Sequence, residues 1–281
     1  MSVALVFERH VSAESTNDLA LARARAGAPA GTVVIAEEQT AGRGQRGARW
    51  SSPAGSGLYM SVVLRPRLSP QRSPLLTLAA GVAVQTALDA LVPGRIRLKW
   101  PNDLVVPAEA LPADRASLGF YDDGRRKLSG ILVEAALEPG AGSGPTDPAA
   151  EPTATGLAHA VAGVGLNLRD HPGLDPVDGI ALADLLDPGT APDAGDLATA
   201  IAERLFAEVA RLEAGDATGV VEAWSRVGYG LGRRVRLSSP NETVEGRMSG
   251  LDPESGALIL TPDHGLERRF VHGRLTFPGG A

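Results

Sequence analysis

Cysteine is absent from the 281 residues, which excludes disulfides, thiolate metal sites and a cysteine nucleophile. Lysine is nearly absent as well: Lys99 and Lys127 are the only two among 27 basic residues. Aromatic residues make up 4% of the chain, and no apolar run is long enough to span a bilayer. The opening MSVALVFERH meets charge at Glu8 and Arg9, so it reads neither as a signal peptide nor as a membrane anchor, and a cytoplasmic location is expected. A net charge of −6 argues against nucleic acid as a partner, because phosphate neutralisation needs a basic face, although a local basic loop stays open. What is present, 43% apolar and 21% charged residues, is the make-up of an ordinary globular chain with room for one large domain and a small appended one. Since arginine supplies nearly all the positive charge, the two retained lysines are either chance survivors or positions that need a compact point charge.

The hydrophobic pattern predicts a strand over 3–7, then a helix from the Ser15-Thr16-Asn17-Asp18 cap to about Ala26, closed by Gly27. Strands follow at 32–36, 58–64, 95–99, 104–106, 127–137 and 158–168. Helices are expected at 75–91 and 198–212, with Trp224 in a further helical or turn segment ending near Gly228. The stretches 107–123 and 138–155, rich in Ala, Pro, Gly and acid, read as loop insertions. After Gly230 the texture changes to short alternating runs at 233–237, 244–251, 257–261 and 267–271, which suit a small β-barrel. The expectation is a catalytic domain over 1–228, α+β with a mixed or antiparallel sheet and helices on one side, and a C-terminal barrel over 229–281.

Gly42-Arg43-Gly44-Gln45-Arg46-Gly47 formally matches a dinucleotide fingerprint. Ala48-Arg49-Trp50-Ser51-Ser52-Pro53 then leads to a strand instead of a helix, and no acidic residue follows about 20 positions on, so that reading fails. Alternating glycine and arginine suit a loop that closes on an anion, offering backbone N–H groups and guanidinium forks, and Trp50 adds a flat face for a base. In Lys99-Trp100-Pro101-Asn102-Asp103 an amide and a carboxylate project together at a strand end, able to hold Mg²⁺ with phosphate oxygens or to form a structural Asx turn. Lys127-Leu128-Ser129-Gly130-Ile131-Leu132-Val133-Glu134 starts a strand on a lysine and has a glycine that permits close approach of a ligand. Gly163-Val164-Gly165-Leu166-Asn167 ends the next strand with an amide able to read a base edge.

Together with Ser15-Thr16-Asn17 and Glu38-Gln39-Thr40-Ala41, these segments resemble, in order and over nearly the whole chain, the biotin–protein ligases. The resemblance implies a class II synthetase-like biotin/lipoate ligase domain and a small SH3-like barrel, without the N-terminal winged helix of the family's repressors. It implies ATP and Mg²⁺ as cofactors, biotin as substrate, and the carrier domain of a biotin-dependent carboxylase as partner. Whether the chain acts alone or as a homodimer is left open. By the same resemblance Ser15, Thr16, Asn17, Gln39, Gly42, Arg43, Gly44, Gln45, Lys127, Gly130, Leu132 and Gly163 bind biotin. Arg46, Arg49, Trp50, Lys99, Asn102 and Asn167 bind ATP or the adenylate, Asn102 and Asp103 hold the metal, and Lys127, Asp103 and Arg43 are catalytic. One departure stands out: the family's loop usually reads Gly-Arg-Gly-Arg, with the second arginine on the adenylate, and here that place is Gln45. Weaker retention of the adenylate follows unless Arg46 or Arg49 reaches the phosphate. A lipoate–protein ligase shares the architecture, and a sensor that kept the fold but lost turnover is a third reading.

Overall fold

The structure, a computed structural model, describes residues 3–112, 124–138, 156–171 and 179–278. Most of both expected insertions, 113–123 and 139–155, lies outside the described residues. The larger sheet has seven strands in the order β1-β2-β3-β7-β6-β5-β4. They are β1 (Val6–Ala13), β2 (Thr32–Gln39), β3 (Gly57–Leu64), β4 (Arg97–Lys99), β5 (Asp103–Pro107), β6 (Arg125–Leu137) and β7 (Leu157–Asn167). Among the described strands of this sheet, β1 and β2 pair in parallel, through the crossover helix α1 (Thr16–Arg25), and the other neighbouring strands pair antiparallel.

Alternation along the strands divides the core in two. Val33, Val62, Ala162 and Ile131 face a large cluster with α2 (Ser73–Asp89), α3 (Ala194–Glu213) and α4 (Ala217–Arg226), while Val34, Val63 and Val161 face α1. Helices therefore cover both faces, which corrects the one-sided arrangement expected above. The α1 segment is short and its apolar positions are mostly alanine, so its sequence did not reveal which face it covers. Leu75, Leu76, Leu78, Val82, Val84 and Leu88 of α2 are all buried because α2 is wedged between the sheet and α3 and α4. Asp193 and Asp216 cap α3 and α4 by accepting backbone N–H groups.

The first strand also differs from expectation, lying at 6–13 instead of 3–7. Its pairing with β2 runs from Val6 opposite Thr32 to Ala13 opposite Gln39, so register with a buried neighbour, and not its own hydrophobicity, fixes where it lies. The C-terminal sheet is antiparallel, β11-β10-β9-β8-β12, with β8 (Arg234–Ser238), β9 (Thr243–Leu251), β10 (Leu258–Pro262), β11 (Arg268–Phe270) and β12 (Arg274–Thr276). The short β12 has only Leu275 fully buried and was not anticipated. This module packs on the first: a Cβ at Gly256 would meet Leu78 and Leu75 of α2, and Tyr229 meets Phe277 edge to face at 5.2 Å.

Leu78 serves both interfaces. Leu78→Ala should lower unfolding free energy by about 3 kcal/mol through lost burial and a residual cavity; denaturant unfolding checks this, and a loss under about 1 kcal/mol would mean the site is not packed as described.

Candidate active site

A cavity of about 840 Å³ opens over the face of the sheet formed by β3, β6 and β7, beside the end of β2, large enough for two small ligands side by side. At one end the first turn of α1 meets the sheet. Ser15 is the helix cap, its Oγ accepting from the Asp18 N–H, and Ser15, Thr16 and Asn17 are buried in the wall. The Thr16 N–H and Oγ1 both donate to Gln39 Oε1, at 2.8 and 3.1 Å, and Gln39 Nε2 donates to Ser52 Oγ at 2.8 Å. Ser61 Oγ lies 2.9 Å from both Thr16 Oγ1 and Asn17 Oδ1. Asn17 Nδ2 donates to Glu134 at 2.6 Å. A Cβ on Gly163 would come within 2.3 Å of Asn17 Oδ1, so only glycine fits at that point of β7.

At the other end the two lysines converge on one carboxylate. Lys99 and Asp103 face each other across the β4–β5 hairpin, whose turn carries a cis Trp100–Pro101 peptide, with Lys99 Nζ 3.9 Å and Lys127 Nζ 2.6 Å from Asp103. Lys127 gets there through a register shift in β6. Regular alternation from Leu132 and Gly130 would put residue 128 on the pocket face and 127 in the core. Pairing with β5 slips between Leu104 and Val105, Leu128 turns fully into the core, and Lys127 emerges in the pocket. Burial pushes the Asp103 carboxyl up, but Lys127 and Lys99, with Arg125, outweigh it and hold it below the usual aspartate range.

Trp50 lies between these ends. Its indole packs on the bare backbone of β6 and β7, where Cβ atoms on Gly130 and Gly165 would stand 3.1 and 2.5 Å from it, and Lys127 Nζ is 5.3 Å from the ring centroid. Its buried Nε1 has no hydrogen-bond partner among the described residues. In the glycine–arginine loop, Arg46 adopts a left-handed backbone (φ 56°, ψ 34°) and its guanidinium donates to the Gly273 carbonyl of the C-terminal module. Arg49 donates to the Thr40 carbonyl at 3.3 Å. Arg43 is gripped by Asp18 at 2.5 Å and Glu134 at 2.8 Å.

Of the residues singled out from sequence, the structure gathers Ser15, Thr16, Asn17, Gln39, Arg43, Gly44, Gln45, Arg46, Arg49, Trp50, Lys99, Asn102, Asp103, Lys127, Gly130, Leu132 and Gly163 around this one cavity. Gly42 and Asn167 are not among its lining residues. A Cβ on Gly42 would strike the Trp50 carbonyl at 2.5 Å, which makes it a turn residue, and Asn167 Nδ2 donates to the Lys127 and Ile180 carbonyls, bracing β7 from behind. Asn102 Nδ2 donates to the Ile131 carbonyl at 2.7 Å. As placed, Asn102 and Asp103 do not fit a resident dication: Asp103 already faces two ammonium groups, and no group of three His, Asp or Glu residues able to hold a metal occurs among the described residues. Sequence reasoning missed Ser61, Arg125 and the wall formed by Gly273 to Phe277, and the pairing of Glu134 with Asn17 and Arg43 behind the lining. Arg125 stands two residues before Lys127 on the same strand, a signal that alternation could have supplied.

A mixed sheet covered by helices, an amide-lined pocket and a small antiparallel module define the class, the biotin/lipoate A/B protein ligases, whose family model matches residues 10–140. The chain is 33% identical to the biotin–[acetyl-CoA-carboxylase] ligase of Mycobacterium tuberculosis over 253 residues, 88% of this chain and 79% of that one. It is 29% identical to the enzyme of the same name from Paracoccus denitrificans, covering 95% of this chain and 98% of the other. A structure of biotin protein ligase from Aquifex aeolicus in complex with biotin and ATP superposes with a TM-score of 0.70 at 20% identity, over 96% of this chain and 97% of that one. The chain belongs to this family, on its biotin–protein ligase branch. No helix among the described residues is long and apolar enough to cross a membrane.

Because the folded Asp103 has a depressed pKa, its stabilising contribution is present above the ordinary aspartate value of 3.8 and is lost as pH falls through the lower folded value. Asp103→Asn should therefore destabilise the chain by about 3 kcal/mol at neutral pH. Denaturant titrations should show that gap closing below pH 4; a gap independent of pH would contradict the ion-pair geometry.

Proposed function

We propose that the chain is an ATP-dependent biotin–protein ligase that makes biotinyl-5′-AMP and passes the biotinyl group to a lysine of a carboxylase carrier domain. The observation that carries this is the pairing, in one cavity, of an amide and hydroxyl floor with a cationic far end: Thr16, Asn17, Gln39 and Ser61 opposite Lys127, Lys99 and Arg125. A polar ring with a carboxylate tail spans those ends. Lipoate's dithiolane offers neither N–H nor carbonyl to a buried polar floor and would leave it unpaired, which disfavours the lipoate reading. The relatives named above are biotin ligases, which supports the same choice.

In the first step a biotin carboxylate oxygen bonds to the α-phosphorus of ATP as the bond to pyrophosphate breaks. Lys127, a movable point charge near that end, stabilises the negative charge that builds on the phosphorus oxygens. ATP enters as its magnesium complex. Trp50 offers a face to the adenine, and Ser15, Thr16, Asn17, Gln39, Gly130, Leu132 and Gly163 enclose the biotin. In the second step the carrier amine bonds to the acyl carbon, AMP leaves with the carbon–oxygen electron pair, and the amine proton passes to solvent. Asp103, released as Lys127 turns to phosphate, orients the incoming amine.

Biotin-dependent exchange of pyrophosphate into ATP tests the reading: a lipoate ligase would require lipoate, and a sensor would show no exchange. Lys127→Ala should cut exchange by at least about a hundredfold while the chain still folds, as circular dichroism would show; near-normal exchange would remove Lys127 from its role.

Gln45 carries no charge, and the guanidinium groups of Arg46 and Arg49 rest on the Gly273 and Thr40 carbonyls. Adenylate should accordingly escape more readily than from a Gln45→Arg variant. Untargeted proteins mixed with enzyme, biotin and ATP should acquire more label from the parent, and equal labelling would sink the idea.

A further inference from the structure

Glu134 stands behind the amide end of the cavity, against the lining residues Asn17 and Arg43, and has no role in the reaction described so far. Its carboxylate is ion-paired to Arg43, with contacts of 2.8 and 3.3 Å, and Arg43 in turn is held by Asp18 at 2.5 Å. A carboxylate so paired is an acceptor only. The nitrogen of Asn17, 2.6 Å away, must therefore be the end of the amide that faces it. The two ends of an amide are distinguished by their partners, and here Glu134 decides. The Asn17 oxygen is turned the other way, beside Gly163 and Ser61, both of which line the cavity. Ser61 occupies one of its two lone pairs and leaves the other for a ligand.

We propose that Glu134 is a specificity-determining positioning residue: backed by Arg43, it locks the Asn17 side chain with its oxygen toward the cavity, so the head subsite reads an N–H donor on the ligand. On the biotin reading, on which this rests, that donor is one of the two ureido N–H groups. Arg43 then acts as the counter-ion of Glu134 and the strap of the loop, and contributes to recognition without touching the ligand. With Glu134 neutral, the Asn17 amide is free to turn over, and the discrimination between a ligand with N–H and one without it falls.

The test is direct binding, by calorimetry, of biotin and of its two analogues methylated singly on either ureido nitrogen, to the parent chain and to Glu134→Gln. The parent should prefer biotin over at least one analogue by about a hundredfold or more, since a site built to pair an N–H rejects ligands lacking it. Glu134→Gln should reduce that ratio at least about tenfold, with ATP affinity changed by less than about twofold. A side chain that merely held the loop would weaken all three ligands alike and leave the ratio intact, which would overturn the proposal. Should Glu134→Gln not fold, Arg43→Gln should shift the ratio in the same direction by a smaller factor, and an unchanged ratio there overturns it equally. Binding without pyrophosphate exchange would refute the ligase function and leave this assignment standing, whereas exchange with an unaltered ratio would do the reverse. No binding of biotin to the parent would refute both.

Discussion

The arrangement of the site depends on two ammonium groups sharing one carboxylate. Lys127, Lys99 and Arg125 all line the cavity beside Asp103, whose carboxylate offsets part of their mutual repulsion in a half-buried space. A pair at the Lys99–Asp103 separation of 3.9 Å is worth about 4 kcal/mol of Coulomb energy at an effective dielectric near 20, before the cost of desolvation is subtracted. The closer Lys127–Asp103 contact, at 2.6 Å, fixes the Lys127 ammonium in the cavity, and the bulge in β6 lets its backbone supply it. A ligand phosphate must compete with Asp103 for Lys127, so binding at this end is an exchange of partners.

The opposite end works by the reverse rule. Its groups are neutral amides and hydroxyls linked to one another through Gln39, Thr16, Ser61 and Asn17, up to the single charged group Glu134, with acceptor capacity on the Asn17 oxygen left for a ligand. In such a network orientation is the information, because each partner fixes which end of the next one faces the ligand. The glycines at 130, 163 and 165 make both halves possible by letting Trp50 and Asn17 lie against bare strand backbone.

Much of this was legible in the sequence because the site residues sit at element ends, where local chemistry is strong. Ser15-Thr16-Asn17 announces a helix cap, Trp100-Pro101-Asn102 a hairpin turn, and the two lysines stand out once arginine is seen to carry the rest of the charge. What was not legible depends on pairing between distant strands. Strict alternation would bury Lys127, and only register with β5 brings it out. The approach of β12 and Gly273 to the loop likewise depends on how the two modules dock, which no local pattern records. Asn167 reads from sequence as an amide at a strand end able to read a base edge, but the Lys127 and Ile180 carbonyls lie behind it and claim it.

The loop arginines raise a last electrostatic point. Arg46 holds a left-handed backbone, which costs a non-glycine residue about 1 kcal/mol, and its guanidinium is offset by the Gly273 carbonyl. Arg43 is paired to two carboxylates and Arg49 to a backbone carbonyl. The loop therefore spends its cations on the protein itself, which keeps a half-exposed cluster of positive charge from repelling itself when no phosphate is near. The same economy means that an arriving adenylate gains only the difference between its own contacts and those it displaces. Retention of the intermediate thus depends less on how many arginines the loop contains than on how weakly each is held at home. Arg49, with one contact at 3.3 Å, is held more loosely than Arg43, whose contacts to Asp18 and Glu134 are shorter and charged on both sides.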